Sequence, residues 1–168
     1  MKTAIIYSFH SNKTAKAAEK IIEAFGNDPV EAVNAEDLTE EQFLGFDNLI
    51  LGVPTWFDGE LPNYWDEFVP AMKDLDMKGK TIAIFGLGDQ VGYPENFADG
   101  IGTLGKLLRD RGARLVGYTE NENYTFESSL ALENGKFMGL VLDQENQARL
   151  SKGRIEKWVA NLKKELKA

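Results

Sequence analysis

The sequence predicts an α/β fold in which a doubly wound parallel sheet is covered by helices on both faces. Three observations lead there. Apolar runs of strand length recur along the chain, helical apolar periods alternate with them, and the runs are apolar almost throughout. Strands buried on both faces read that way, whereas a sheet with one wet face alternates.

In chain order, the first run is Thr3 to Tyr7. It stops at small polar residues and leads into a helical period beginning near Ala15, with Ala18, Ile21, Ile22 and Phe25 on one face and Gly26 as a C-terminal cap. A weaker run, Val30 to Asn34, gives a second strand. The acids after it, Glu36, Asp37, Glu40 and Glu41, read as a solvated face. Asn48 to Val53 is the third strand, and Pro62 to Met72 a helix opened by Pro62 with Trp65, Phe68 and Val69 at helical spacing. Thr81 to Leu87 is the fourth strand. Ile101, Leu104 and Leu108 then mark a helix whose basic end is Arg109 to Arg111 with Gly112. Leu115 to Thr119 is the fifth strand, and Ile155, Trp158, Val159 and Leu162 mark the last helix. Residues 120–142 break the alternation. They are polar with scattered aromatics and close on the apolar run Leu140 to Leu142, so they form an excursion inserted into or beside the fifth strand. That excursion is too short for a domain, and residues 1–168 are expected to form a single one.

Composition narrows the function. A chain of 168 residues, 43% hydrophobic, can bury one sizeable core. A formal net charge of -8 repels nucleic-acid backbone and anionic membrane surface alike. With no cysteine, disulfides, thiolate metal sites and cysteine nucleophiles are excluded, and no metal site is expected. The N-terminal run lacks the length of a signal peptide, and no segment nears the roughly 20 apolar residues of a membrane span, so a cytoplasmic protein is expected.

In an open parallel sheet, ligands bind beyond the carboxyl ends of the strands where the winding reverses. Three loops should converge there. The first, Ser8-Phe9-His10-Ser11-Asn12-Lys13-Thr14, joins a strand to a helix, so backbone N–H groups and the helix dipole point at one spot suited to a phosphate. Ser8, Ser11, Asn12 and Thr14 add side-chain donors. The second loop is Pro54-Thr55-Trp56-Phe57-Asp58-Gly59-Glu60, and the third runs Gly88-Asp89-Gln90-Val91-Gly92-Tyr93-Pro94-Glu95-Asn96. A loop aromatic alone is ordinarily a cap over the core. Trp56 and Tyr93 on two converging loops, opposite a phosphate loop, can instead sandwich a flat heterocycle, each ring pair adding about 1 kcal/mol beyond area burial. Gly59, Gly88 and Gly92 let backbone approach the ring edge, and Asp89 or neighbouring amides could pair with a pyrimidine-like edge. Other chemistries lack their residues. No acids end strands one and three as a phospho-acceptor site needs, the first loop has no glycine for a nucleotide-triphosphate or dinucleotide pattern, and His10, the sole histidine, has no nucleophile elbow to serve.

Taken together, the loops make the chain resemble the flavodoxins, specifically the long-chain type with an insertion in the fifth strand. The stretches that carry the resemblance are Pro54-Thr55-Trp56 with Gly59-Glu60-Leu61, then Gly86 through Phe97, and Asn134 through Leu140. The resemblance implies a five-stranded flavodoxin-like sheet in the order 2-1-3-4-5 and noncovalent FMN as cofactor. It implies Trp56 and Tyr93 on the two flavin faces, Thr55 and Asn96 near the ribityl chain, and a peptide flip at Phe57-Asp58 that offers a carbonyl to flavin N5. The expected function is low-potential, one-electron shuttling between redox enzymes, with no catalytic residue. Expected partners are a flavodoxin/ferredoxin reductase and a low-potential acceptor enzyme with basic docking faces, met by a monomer. Asp58, Glu60, Asp66, Glu67 and Asp89 would disfavour charge on the reduced ring. Two alternatives stay open, a flavin-dependent oxidoreductase acting on a quinone or porphyrinogen, and a binding module with weakened FMN affinity. The second arises because flavodoxins usually read Ser/Thr-x-Thr-Gly-x-Thr in the first loop. Here Phe9 replaces a hydroxyl and Asn12 a glycine, although Asn tolerates positive φ better than most residues. One lost hydrogen bond to a charged group costs roughly 1.5–3 kcal/mol, about ten- to hundredfold in affinity.

Overall fold

The computed structural model describes residues 1–167. Its strands and helices alternate as expected: β1 (Thr3–Tyr7), α1 (Lys13–Phe25), β2 (Glu31–Asn34), α2 (Glu40–Leu44), β3 (Asn48–Gly52), α3 (Asn63–Asp66), α4 (Val69–Met72), β4 (Thr81–Leu87), α5 (Asp99–Asp110) and β5 (Arg114–Val116). Then come β6 (Thr119–Glu120), β7 (Leu132–Glu133), β8 (Lys136–Phe137), β9 (Leu140–Leu142) and α6 (Ala148–Glu165). The main sheet is parallel, in the order β2-β1-β3-β4-β5, with β9 also paired to β4.

Side chains divide between the two faces of the sheet with period two. Ala4, Ile6, Leu49, Leu51, Ile82 and Ile84 face the core that holds Trp65, Met72 and the α5 residues Ile101, Leu104 and Leu108. Ile5, Tyr7, Ile50, Ala83 and Phe85 face the opposite core, with Ala17, Ile21 and Phe25 of α1 and Ile155 and Trp158 of α6. Both faces are dry, which is why the strands read as continuous apolar runs. Trp65 is fully buried and its indole N–H donates to Gly52 O at 2.9 Å, so truncation to Ala costs about 3–5 kcal/mol of stability.

The structure corrects two sequence expectations and extends a third. Residues 62–72 form two four-residue helices rather than one, because Pro70, second residue of α4, has no N–H to continue the ladder from α3. The acids after β2 are exposed, as expected, and the run they lie in also folds locally. Asn34 caps a 3-10 turn over Ala35–Asp37, and Thr39 with Gln42 forms a reciprocal capping box that starts α2, burying Phe43. The fifth strand ends at Val116 rather than Thr119. Gly117 has φ +80°, and a Cβ there would meet Trp158 Nε1 at 2.9 Å, so the chain leaves the sheet at that point. Its second half returns as β9, which pairs with Phe85–Leu87 of β4 just beyond the register held by β5.

The excursion between the two halves carries the antiparallel sheet β6-β8-β7. It packs hard on α5, since a Cβ on Gly102 would lie 2.0 Å from Leu130 O. No helix is long and apolar enough to cross a membrane among the described residues.

Candidate functional site

A crevice of about 780 Å³ opens at the carboxyl ends of β1, β3 and β4, where the order of winding reverses. The structure brings all three predicted loops to it. Ser8, His10, Ser11, Asn12, Lys13 and Thr14 line it from the first loop, Pro54, Thr55, Trp56 and Phe57 from the second, and Gly88, Asp89, Tyr93 and Asn96 from the third. Phe9, Asp58 and Gly59, also predicted, stand outside the lining.

The first loop makes its bonds mostly to itself. Ser11 Oγ donates to Ser8 O at 2.6 Å, and His10 N donates to Ser8 Oγ at 3.3 Å, so the Ser11 hydroxyl proton is spent inside the loop rather than offered outward. Phe9 is 47% exposed and leans on Tyr7 with ring centroids 5.0 Å apart, while its N–H donates to Asn34 Oδ1. Asn12 sits at φ -91°, ψ -68°, so no positive φ is required where the family has glycine. Its side chain does not cap α1, and no acid occupies the first turn of that helix. The first N–H groups of a helix have no partner within it. A 13-residue helix thus presents donors and dipole to the crevice uncompensated.

The loop's two basic side chains lean on carboxylates that also line the crevice. His10 Nδ1 contacts Glu36, and Lys13 Nζ contacts Glu145. The hydrogen bond and charge of Glu36 raise the His10 pKa above its ordinary 6.5, and the same bond lowers that of Glu36.

In the second loop, Trp56 N donates to Glu60 O at 2.8 Å and Glu60 N to Trp56 O at 2.7 Å, closing a tight turn over residues 57–59. Its tip is strained. Phe57 adopts φ +47°, a left-handed conformation that costs a non-glycine residue on the order of 1–2 kcal/mol. Gly59, at φ +89°, faces Asp99 Oδ2, which a Cβ would approach to 2.7 Å. Trp56 stays 39% exposed, backed edge-on by Tyr64 at 6.3 Å and 89°. Thr55 Oγ1 accepts from Gly100 N at 2.9 Å, tying the loop to the start of α5. The Tyr64 hydroxyl is buried without a hydrogen-bond partner, and burial raises its pKa.

The third loop binds itself more tightly. Asp89 Oδ1 accepts from Val91 N at 3.1 Å, Gly92 N at 2.8 Å and Asn146 Nδ2 at 2.8 Å, and these bonds lower the Asp89 pKa. Its carboxylate therefore shapes the turn, and the backbone N–H groups of Gln90, Val91, Gly92 and Tyr93 are likewise bonded within the protein. Gly88 and Gly92 answer to protein neighbours as well. A Cβ on Gly88 would lie 2.8 Å from the Phe97 ring, and one on Gly92 2.6 Å from the Asp89 carboxylate. Asn96 Nδ2 donates to Asp99 Oδ2 at 3.2 Å, and Tyr93 is 47% exposed. Among the described residues no ring contact joins Trp56 to Tyr93, and both rings line the crevice.

Of the five acids expected around the ring, Glu67 and Asp89 line the crevice, whereas Asp58, Glu60 and Asp66 do not. Glu36, Asn63, Tyr64, Leu87, Gln144 and Glu145 line it without having been singled out as site residues. Topology alone gathers them. The one available signal was position: Gln144 and Glu145 follow the apolar run Leu140 to Leu142 after a single residue, Asp143, at a strand end on the same edge.

The chain matches the model of the flavodoxin family over residues 5–158. It is 42% identical over 164 residues to a flavodoxin of a Nostoc species, covering 98% of this chain and 96% of that protein. It is 40% identical to a flavodoxin of Klebsiella pneumoniae, over 95% of this chain and 96% of the other. Among solved structures, Fusobacterium nucleatum flavodoxin bound to flavin mononucleotide superposes with a TM-score of 0.94 at 34% identity, covering 99% of this chain and all of the other.

Proposed function

The chain belongs to the flavodoxin family, an electron carrier that works through FMN rather than an enzyme, and we propose that the crevice described above is where it holds the flavin. The quinone or porphyrinogen oxidoreductase reading is not favoured. FMN, when bound, accepts and releases electrons one at a time. Everything else in the proposal concerns this chain's own residues.

The observation that carries the assignment is the pairing of an uncompensated helix start with two available ring faces in one crevice. The start of α1, with Ser8, Asn12, Lys13 and Thr14, would take the phosphate, and Thr55 and Asn96 would flank the ribityl chain. Trp56 and Tyr93 would cover the two ring faces, with Phe57, Gly88 and Asp89 backbone at the ring edge. A fit to FMN is supported by two further features. The first turn of α1 contains no acid to oppose a phosphate, and the volume falls in the range usual for a cofactor site.

Low potential is part of the proposal. Glu36, Glu67, Asp89 and Glu145 line the crevice, and negative charge arriving on the ring meets about 1 kcal/mol of opposition from each carboxylate about 4 Å away in water. The turn at Phe57-Asp58 fits a peptide that changes orientation. Its strained φ holds it in a conformation that needs little to leave. We further propose that the chain is one domain, acts as a cytoplasmic monomer, and passes electrons between a flavodoxin/ferredoxin reductase and a low-potential acceptor enzyme. A net charge of -8 favours partners with basic docking faces, with association slowing as salt rises.

The direct test is titration of the metal-free, flavin-free protein with FMN, following flavin fluorescence and the visible spectrum. Stoichiometric quenching is expected; a protein that leaves FMN fluorescence unchanged would defeat the proposal.

A further inference from the structure

Tyr93 has no aromatic contact with the protein among the described residues, so what fixes its ring is the turn that carries it. That turn is held from the excursion, where Glu127 N and Ser128 N donate to Pro94 O at 2.8 and 3.0 Å, and from one short segment after β9. Gln90 N and Gln90 Nε2 donate to Asp143 Oδ2 at 3.1 and 2.7 Å. Asn146 N and Nδ2 donate to Asp143 Oδ1 at 3.0 and 3.1 Å, and Asn146 Nδ2 reaches Asp89 Oδ1 at 2.8 Å. Gln90 Oε1 turns the other way and accepts from Thr125 N at 2.6 Å in the excursion.

Asp143 is completely buried. No cation lies within ion-pair distance of it among the described residues, and N–H groups satisfy both its oxygens. A buried carboxylate is a costly way to gain stability alone, since well-packed apolar residues serve as well or better. What it supplies is geometry. Four donors from two segments converge on one planar group, which fixes the third loop against the end of β9 in a single arrangement. The neighbouring Gln144 and Glu145 line the same crevice, so the segment that anchors the turn also forms part of the wall.

We propose that Gln90 and Asp143 are positioning residues that set the placement of Tyr93 against the flavin, an inference that rests on the crevice being the FMN site. Through Gln90 the excursion adds a further point of support, so the segment after β9 and the excursion together hold the tyrosine turn.

The test is Gln90→Met, which keeps side-chain length but removes both polar ends while leaving the backbone bond from Gln90 N to Asp143. The proposal predicts FMN affinity lowered by tenfold or more, incomplete quenching of bound flavin, a displaced visible flavin band, and midpoint potentials moved from those of the wild type. Asn146→Ser provides a second approach through an exposed residue, should Gln90→Met fail to fold, and is expected to change the flavin spectrum in the same direction by less. Unchanged spectrum and potentials in both folded variants, with only a lower melting temperature, would reduce the network to a structural role and overturn the proposal. A wild-type chain that does not bind FMN would overturn the reading of the crevice itself, and this inference with it.

Discussion

The loop proposed to take the phosphate and the loop that carries Tyr93 close the same crevice on opposite plans. Residues 8–14 leave the start of α1 uncapped and set their basic side chains against Glu36 and Glu145 at the crevice wall. Residues 88–96 spend the carboxylate of Asp89 and the amide of Gln90 on their own shape. A phosphate is bound by donors, so that loop must keep donors free. A flat ring is bound by a surface, so the other loop must keep the surface still. It follows that substitutions in the first loop should act mildly and one by one, whereas substitutions on the aromatic side should act strongly.

The largest expected effect comes from the ring faces. Trp56→Ala should weaken FMN binding by about 2–3 kcal/mol, roughly 30- to 150-fold, from lost stacking and lost apolar contact. A fluorescence titration measures it, and a change under about threefold would mean the ring lies elsewhere. On the phosphate side, Thr14→Val should cost about 1.5 kcal/mol, near tenfold, because the backbone donors of α1 remain. Equal losses for the two variants would break the contrast between the loops.

Smaller still is Phe9→Thr, which returns a hydroxyl at an exposed position whose backbone is already held by Asn34. A gain of about 1 kcal/mol, roughly fivefold tighter FMN, is expected. Asn12→Gly should add nothing, since Asn12 already adopts an ordinary negative φ. A large gain from the glycine would mean that the loop changes conformation on binding.

The smallest effect concerns His10 and Glu36, both exposed. The His10 pKa is raised above 6.5, so its share of stability is complete below pH 6.5 and disappears as pH rises through the folded value. The Glu36 pKa is lowered from 4.5, so its share is complete above pH 4.5 and disappears as pH falls through the folded value. Glu36→Gln should therefore lower the melting temperature of the FMN-free protein most between pH 4.5 and 6.5, and the gap should narrow in added salt.

The strands were legible because they are buried on both faces, with Leu49 and Leu51 on one side and Ile50 on the other, which leaves unbroken apolar runs. The three loops were legible because they follow those runs directly. What escaped notice was short or assembled from afar. Helix α2 is five residues long and opens on two acids, and its trace in the sequence is the spacing of Thr39 and Gln42. Pro70 inside an apolar period was the mark of a divided helix. Glu36, Tyr64 and Glu145 meet the phosphate and aromatic loops only through the sheet order, and no local pattern carries that information. Which donors each loop keeps and which it spends was also beyond the sequence. Ser11 and Asp89 look available by residue type, and hydrogen-bond geometry alone reveals that they are committed.

The central claim is that acids around a firmly held flavin separate its two electrons and drive the second to low potential. Potentiometric titration of the FMN-loaded protein, followed by visible absorbance, tests this most directly. Two well-separated one-electron steps, the second strongly reducing, are the predicted result; a single two-electron wave near the potential of free flavin would contradict it.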